Sequence, residues 1–171
     1  TRTYANLSWA TVLNLSRASS GNGEGTHPLL EKRERVKKIG IILITSNRGL
    51  CGGFNSAVMS KAHESIKKHQ YLGDKLEIET DFILLGKKGA AVYRHYGYNV
   101  AADFAKQDVT TEVTEVIPMT KMIIDGYLSG QYDKVMVAYT DFVSAAKQIP
   151  RVKQILPVDI STQEEFLGIV G

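Results

Sequence analysis

Residues 39–55 read Ile39-Gly40-Ile41-Ile42-Leu43-Ile44-Thr45, then Ser46-Asn47-Arg48-Gly49-Leu50-Cys51-Gly52-Gly53-Phe54-Asn55. The first part is a continuous apolar run rich in β-branched residues, which suits a strand buried on both faces of a sheet. The second part carries glycines at 49, 52 and 53, where the backbone can adopt conformations closed to other residues. Beyond it, apolar side chains recur at Phe54, Ala57, Val58, Ala62 and Ile66, the spacing of one helical stripe. A buried strand feeding a glycine turn that launches a helix is the first half of a βαβ unit, so a parallel sheet should follow.

Outward from this stretch the chain alternates in the same way. A second strand is expected over 77–85, around Phe82-Ile83-Leu84-Leu85, followed by Gly86-Lys87-Lys88 and a helix through Ala90–Tyr93 that stops at Gly97. A short third strand falls near 98–101. A helix over about 116–128 should bury Ile123, Ile124, Tyr127 and Leu128, with Pro118 tolerated only in its first turn. A fourth strand spans 134–139. Residues 140–150 are small and polar and read as a connection, and a fifth strand spans 152–156, closed by Pro157. The fourth-to-fifth link is short for a helical crossover, so the fifth strand should be an antiparallel edge. The fold class is therefore α/β, a Rossmann-like layered sheet of about five mostly parallel strands with helices on both faces.

The flanks differ from this body. Residues 1–18 lack Pro and Gly and read as a helix, a stub without an N-terminal cap. Residues 19–30, with Ser-Ser-Gly-Asn-Gly-Glu-Gly-Thr at their start, read as a flexible linker. The globular domain is expected over 31–158, and 159–171 as a tail or the start of a helix, since Ser161-Thr162-Gln163-Glu164 fits a capping box. Thr1 in place of Met points to an excised or processed chain.

Composition narrows function. At 171 residues the chain can bury a full core, and no apolar run approaches the ~20 residues of a membrane span. The net charge of +3 is mild, and the basic residues lie on linkers and helices rather than among sheet aromatics, which argues against nucleic-acid binding. Cys51 is alone, so no intrachain disulfide can form, and His27, His63, His69 and His95 have no cysteines at zinc-site spacing. Cys51 as a nucleophile would need a base nearby, and His63 is about two helical turns away. Asp141 could act as a base by position, but nothing in the sequence pairs with it. Arg48–Asn55 does not spell a dinucleotide-binding G-x-G-x-x-G or a P-loop, and the second strand ends without an acidic residue for a ribose. No catalytic, cofactor-binding or metal-binding residue is assigned. The alternative to a mechanical role is a small nucleotide- or phosphate-binding α/β protein using the 48–55 glycine turn.

The run Ile44-Thr45-Ser46-Asn47-Arg48-Gly49-Leu50-Cys51-Gly52-Gly53-Phe54-Asn55 resembles the signature of the gamma subunit of F-type ATP synthases. Tyr139-Thr140-Asp141-Phe142-Val143-Ser144-Ala145, continuing through Gln148, Pro150, Gln154, Leu156 and Pro157, is similar to a second segment of that family, and Tyr127-Leu128-Ser129-Gly130 with Tyr132-Asp133 also fits. Position 47 departs, since the family often has an acidic residue there. The resemblance implies a non-catalytic central-stalk (rotor) subunit, in which two long terminal helices form a coiled-coil shaft beside a small α/β domain. It implies coupling between rotation of the membrane ring and ATP synthesis or hydrolysis in the catalytic head. The partners it implies are the alpha and beta subunits, the epsilon subunit and the membrane c-ring, with no direct membrane insertion. The implied location is the cytoplasmic face of the bacterial inner membrane or its organellar equivalent. Arg48, Gly49, Leu50, Cys51, Gly52, Gly53 and Asn55 are the implied subunit-interface motif, with Arg48 a candidate to meet acidic residues of the beta subunits. The cysteine pair of the redox-controlled chloroplast form is not present, so thiol switching is not implied.

Overall fold

A computed structural model describes residues 27–47, 53–72, 77–104 and 113–159. Five strands form one sheet in the order β3-β2-β1-β4-β5. They are β1 (Lys38–Ile44), β2 (Glu79–Leu85), β3 (Asn99–Phe104), β4 (Lys134–Ser144) and β5 (Lys147–Leu156). The pairs β1–β2, β1–β4 and β2–β3 are parallel, and β4–β5 is antiparallel. The helices are α1 (Phe54–Leu72), α2 (Ala91–Tyr96), entered through a 3-10 turn at Lys87–Ala90, and α3 (Val113–Leu128). This is the expected α/β architecture, with its antiparallel edge.

Alternation along β1 explains the layers. Ile39, Ile41 and Leu43 point to one face, where they meet Val58, Met59, Ala62 and Ile66 of α1 and Val92 of α2. Ile42 points to the other, where Ile83, Leu85 and Val135 meet Met119, Ile123 and Tyr127 of α3. Two faces covered by helices require the near-continuous apolar run that β1 shows. Helices therefore lie on both faces, as expected.

Three local expectations differ. The 140–150 connection is not a loop: β4 and β5 both continue into it and form a hairpin turning at Ala145-Ala146. Small polar composition misled because the hairpin projects into solvent, where Phe142 and Val143 are 68% and 53% exposed, so no buried pattern marks it. Pro150 is accommodated because β5 is an edge strand. Helix α3 begins at Val113, so Pro118 lies inside it rather than in its first turn. Its buried set is Met119, Ile123 and Tyr127, while Leu128 is half exposed. The third strand is longer than expected, reaching Phe104.

The chain enters and leaves the body at one place. Val158 N–H donates to Leu29 O at 2.8 Å, Lys32 Nζ lies 3.8 Å from Asp159 Oδ2, and Leu29 and Val158 both pack on the α3-side core.

Candidate functional site

In open α/β sheets the functional crevice lies beyond the carboxyl ends of the strands, where strand order reverses. Here that place is beside β1 and β4, where Thr45, Ser46 and Asn47 follow β1. Of the motif, Arg48, Gly49, Leu50, Cys51 and Gly52 lie outside the described residues, while Gly53 and Asn55 are placed.

Gly53 O accepts from Ala57 N–H at 2.8 Å and so opens the hydrogen-bond ladder of α1. Among the described residues a Cβ at Gly53 would meet nothing within 4 Å, and φ there is not positive. Asn55 has a clear task. Its Oδ1 accepts from Ser46 N–H at 3.0 Å, and its Nδ2 donates to Ser46 Oγ at 2.9 Å. The first turn of α1 is thus tied to the end of β1, closing the loop between them. Asn55→Ala should cost about 1–2 kcal/mol, because it leaves a part-buried amide of Ser46 without its acceptor; a denaturation midpoint matching the unsubstituted protein would contradict this.

The ends of β1 and β2 are also clamped together. Thr45, 1% exposed, donates from Oγ1 to Gly86 O at 3.1 Å, and its N–H donates to Leu85 O at 2.9 Å. Lys88 N–H donates to Ser46 O, and Lys87 N–H to Asn47 Oδ1. Gly86 holds φ +112°, and a Cβ there would lie 2.1 Å from Thr45 O. Only glycine fits this crossing. The sequence reading noted Gly86-Lys87-Lys88 without seeing that Gly86 is required by its neighbour.

A depression of ≈ 270 Å³ opens at the same end, lined by Gly53, Phe54, Ala57, Thr140, Gln148 and Pro150. Among the described residues, none that lines it carries a charged side chain. Among the described residues no group of His, Cys, Asp or Glu side chains could hold a metal ion.

The other residues weighed from sequence have structural partners. Asp141 lies inside β4 and accepts from Arg151 Nε at 2.8 Å across the hairpin. His63 stacks on Tyr96 at 4.4 Å and its Nδ1 lies 2.6 Å from Tyr98 Oη. Burial, then the Lys67 charge, holds its pKa down, against Glu64. His95 lies in the last turn of α2, which ends at Gly97 in the left-handed region. No described constellation joins a nucleophile, a base and an oxyanion site at the crevice. What the described residues show is strand ends hydrogen-bonded to each other and to the helix that follows.

The family model described as ATP synthase matches residues 1–168. The chain belongs to the ATP synthase family. Among its relatives is the ATP synthase gamma chain of Legionella pneumophila (strain Corby), 33% identical over 162 residues, covering 95% of this chain and 54% of the relative. The ATP synthase gamma chain of Coxiella burnetii (strain Dugway 5J108-111) is 35% identical over 150 residues, covering 88% and 50%. The chain thus spans about half the length of the curated relatives it matches. Among solved structures, the central stalk/c-ring of Tetrahymena thermophila mitochondrial ATP synthase shares the fold, with a TM-score of 0.52 at 18% identity, covering 97% of this chain and 75% of that one. No helix among the described residues is long and apolar enough to cross a membrane.

Proposed function

We propose that this chain is the α/β body of a gamma subunit, a non-catalytic part of the central stalk of a proton-translocating F-type ATP synthase. The observation that carries the reading, beside the family membership, is the adjacency of the two chain crossings at Leu29 and Val158. Segments leaving a body side by side can wind on each other as an antiparallel pair, and segments 1–18 and 159–171 would then join the shaft while 31–158 form the body.

The role is mechanical. A shaft makes catalytic sites unequal by contacting their alternative conformations differently, which is coupling by differential contact. The body would grip the epsilon subunit and the membrane c-ring and transmit their rotation to the shaft inside the alpha and beta subunits, on the cytoplasmic face of the membrane or its organellar equivalent. A load-bearing body should be stiff, and the clamps among Thr45, Gly86, Ser46 and Asn55 support that. The 48–55 motif would meet the head near the shaft, with Arg48 facing acidic residues of the beta subunits.

One reconstitution tests both levels. Full-length protein assembled with the remaining synthase subunits should support proton-driven ATP synthesis, and Arg48→Glu should impair it. Failure of the unsubstituted protein to support synthesis would overturn the rotor reading. Unchanged synthesis in the Arg48→Glu enzyme would overturn only the role of Arg48.

A further inference from the structure

At the end of the sheet opposite the motif, the first residue of β4 and the last turn of α1 bring a lysine and a histidine together. Lys134 Nζ lies 3.4 Å from His69 Nε2. His69 Nδ1 lies 2.8 Å from Ser65 O, a carbonyl that can only accept. Nδ1 therefore carries the ring proton, and in the neutral ring Nε2 keeps its lone pair toward the amine. The arrangement is an amine, a base within reach and a third group that orients the base, which is how activated nucleophiles are built.

The amine also opens onto a space. Lys134 lines a depression of ≈ 210 Å³ whose other charged residues are Lys32, Arg33, Asp133 and Asp159. Arg33 is held in place, donating to Tyr127 O at 2.9 Å with its guanidinium 4.8 Å from the Tyr127 ring centre. Asp133 Oδ2 is engaged by the Lys37 and Lys38 amides. Arg33, and Lys32 with its 3.8 Å ion pair to Asp159, flank the amine and could receive an anionic group that displaces that carboxylate. Burial, and then the charge of Lys32, lowers the Lys134 pKa, which raises the fraction present as free amine at neutral pH.

We propose that Lys134 is an acylation site, modified by acyl phosphates in this depression with His69 as the base. The Lys134 Nζ lone pair attacks the acyl carbon and a C–N bond forms. The bond from that carbon to the phosphate oxygen breaks, and inorganic phosphate leaves with the electron pair between Lys32 and Arg33. The proton lost from nitrogen passes to His69 Nε2 and then to water. The product is an amide, so a positive charge disappears next to the two chain crossings.

The test is acetyl phosphate at neutral pH on the full-length protein, with the rate at each lysine followed by peptide mass spectrometry. Lys134 should acetylate several-fold faster than the exposed Lys88 and Lys147. His69→Gln should bring Lys134 to their level while leaving theirs unchanged. Lys134 reacting no faster than those two, or keeping its advantage in His69→Gln, overturns the proposal. Should that variant fail to fold, trace acetic-anhydride labelling of the unsubstituted protein across pH decides. Lys134 should then reach half its maximal reactivity at lower pH than Lys88 and Lys147, and coincident curves overturn the proposal. The preference for Lys134 should also shrink with an uncharged acetylating ester; an equal preference overturns the assignment of acyl phosphate as the donor.

Discussion

Gly86→Ala should destabilise the protein by roughly 3 kcal/mol or more, the range of strained backbone and forced displacement acting together. Two independent costs meet at this position. The backbone holds φ +112°, a conformation that L side chains rarely adopt, and the new methyl would sit 2.1 Å from Thr45 O. That oxygen belongs to the main chain and cannot rotate away. Relief requires β1 and β2 to separate at their carboxyl ends, which breaks the Thr45 Oγ1 to Gly86 O bond and the Lys88 to Ser46 bond. The same displacement would disturb the strand end that Asn55 fastens to α1. Chemical denaturation of the two proteins measures the difference; a loss under about 1 kcal/mol would mean that the joint yields locally and is not stiff.

Tyr132→Ala should cost about 3–5 kcal/mol, as for other large buried aromatics. Tyr132 is fully buried and its ring fills a slot between two glycines. A Cβ on Gly40 would come within 3.3 Å of the ring and one on Gly126 within 2.9 Å, so the slot is cut to this ring and cannot collapse easily around alanine. The phenol donates to Asp81 Oδ2 at 3.1 Å, and Asp81, 5% exposed, also accepts from Asn99 Nδ2 and faces Lys38 Nζ at 3.2 Å. Tyr132→Phe keeps the ring and should cost less, about 1–2 kcal/mol, the range for a lost hydrogen bond to a buried charged acceptor.

Tyr132→Phe also differs from the unsubstituted protein in how its stability depends on pH. Burial first, and then Asp81, pushes the Tyr132 hydroxyl up to about 12, above the ~10 of an unfolded tyrosine. The folded state therefore holds this proton more tightly than the unfolded one. The stability linked to it is complete below pH ~10 and is lost as pH rises toward 12, on the order of 2 kcal/mol. Tyr98, Tyr127 and Tyr139 are raised as well, so the diagnostic quantity is the difference between the unsubstituted protein and Tyr132→Phe. The gap between them should narrow across pH 10–12; a constant gap would mean that Tyr132 ionises as freely folded as unfolded.

What the sequence made legible follows from where hydrophobic pattern is dense. β1, with its burial on both faces, and the stripe of α1 are strong local signals, and they led to the parallel sheet and its helical layers. The β4–β5 hairpin was lost because half of it faces solvent, and Phe142 and Val143 there are apolar without being core. Helix α3 starts earlier than a first-turn Pro118 implies, because the ring of Pro118 is exposed and the helix tolerates it. In the site, Asn55 is one of seven residues of the implied interface motif, and its bonds to Ser46 give it a local structural task that the sequence alone does not show. Gly86 and Tyr132 were not, because their roles depend on partners distant in sequence: Thr45 in one case, Gly40, Gly126 and Asp81 in the other. The same holds for His69 and Lys134, 65 residues apart. A Gly placed directly after a buried strand was the one local hint at Gly86.

The central claim is that the body turns as part of a rotor and takes no part in the chemistry of ATP. The hairpin tip offers a handle: Ala146 is exposed at the turn between β4 and β5. With Ala146→Cys carrying a light-scattering particle in an assembled synthase whose head is fixed to a surface, the particle should revolve when ATP is hydrolysed and stop when hydrolysis is inhibited. A particle that stays fixed while the head continues to hydrolyse ATP would contradict the account.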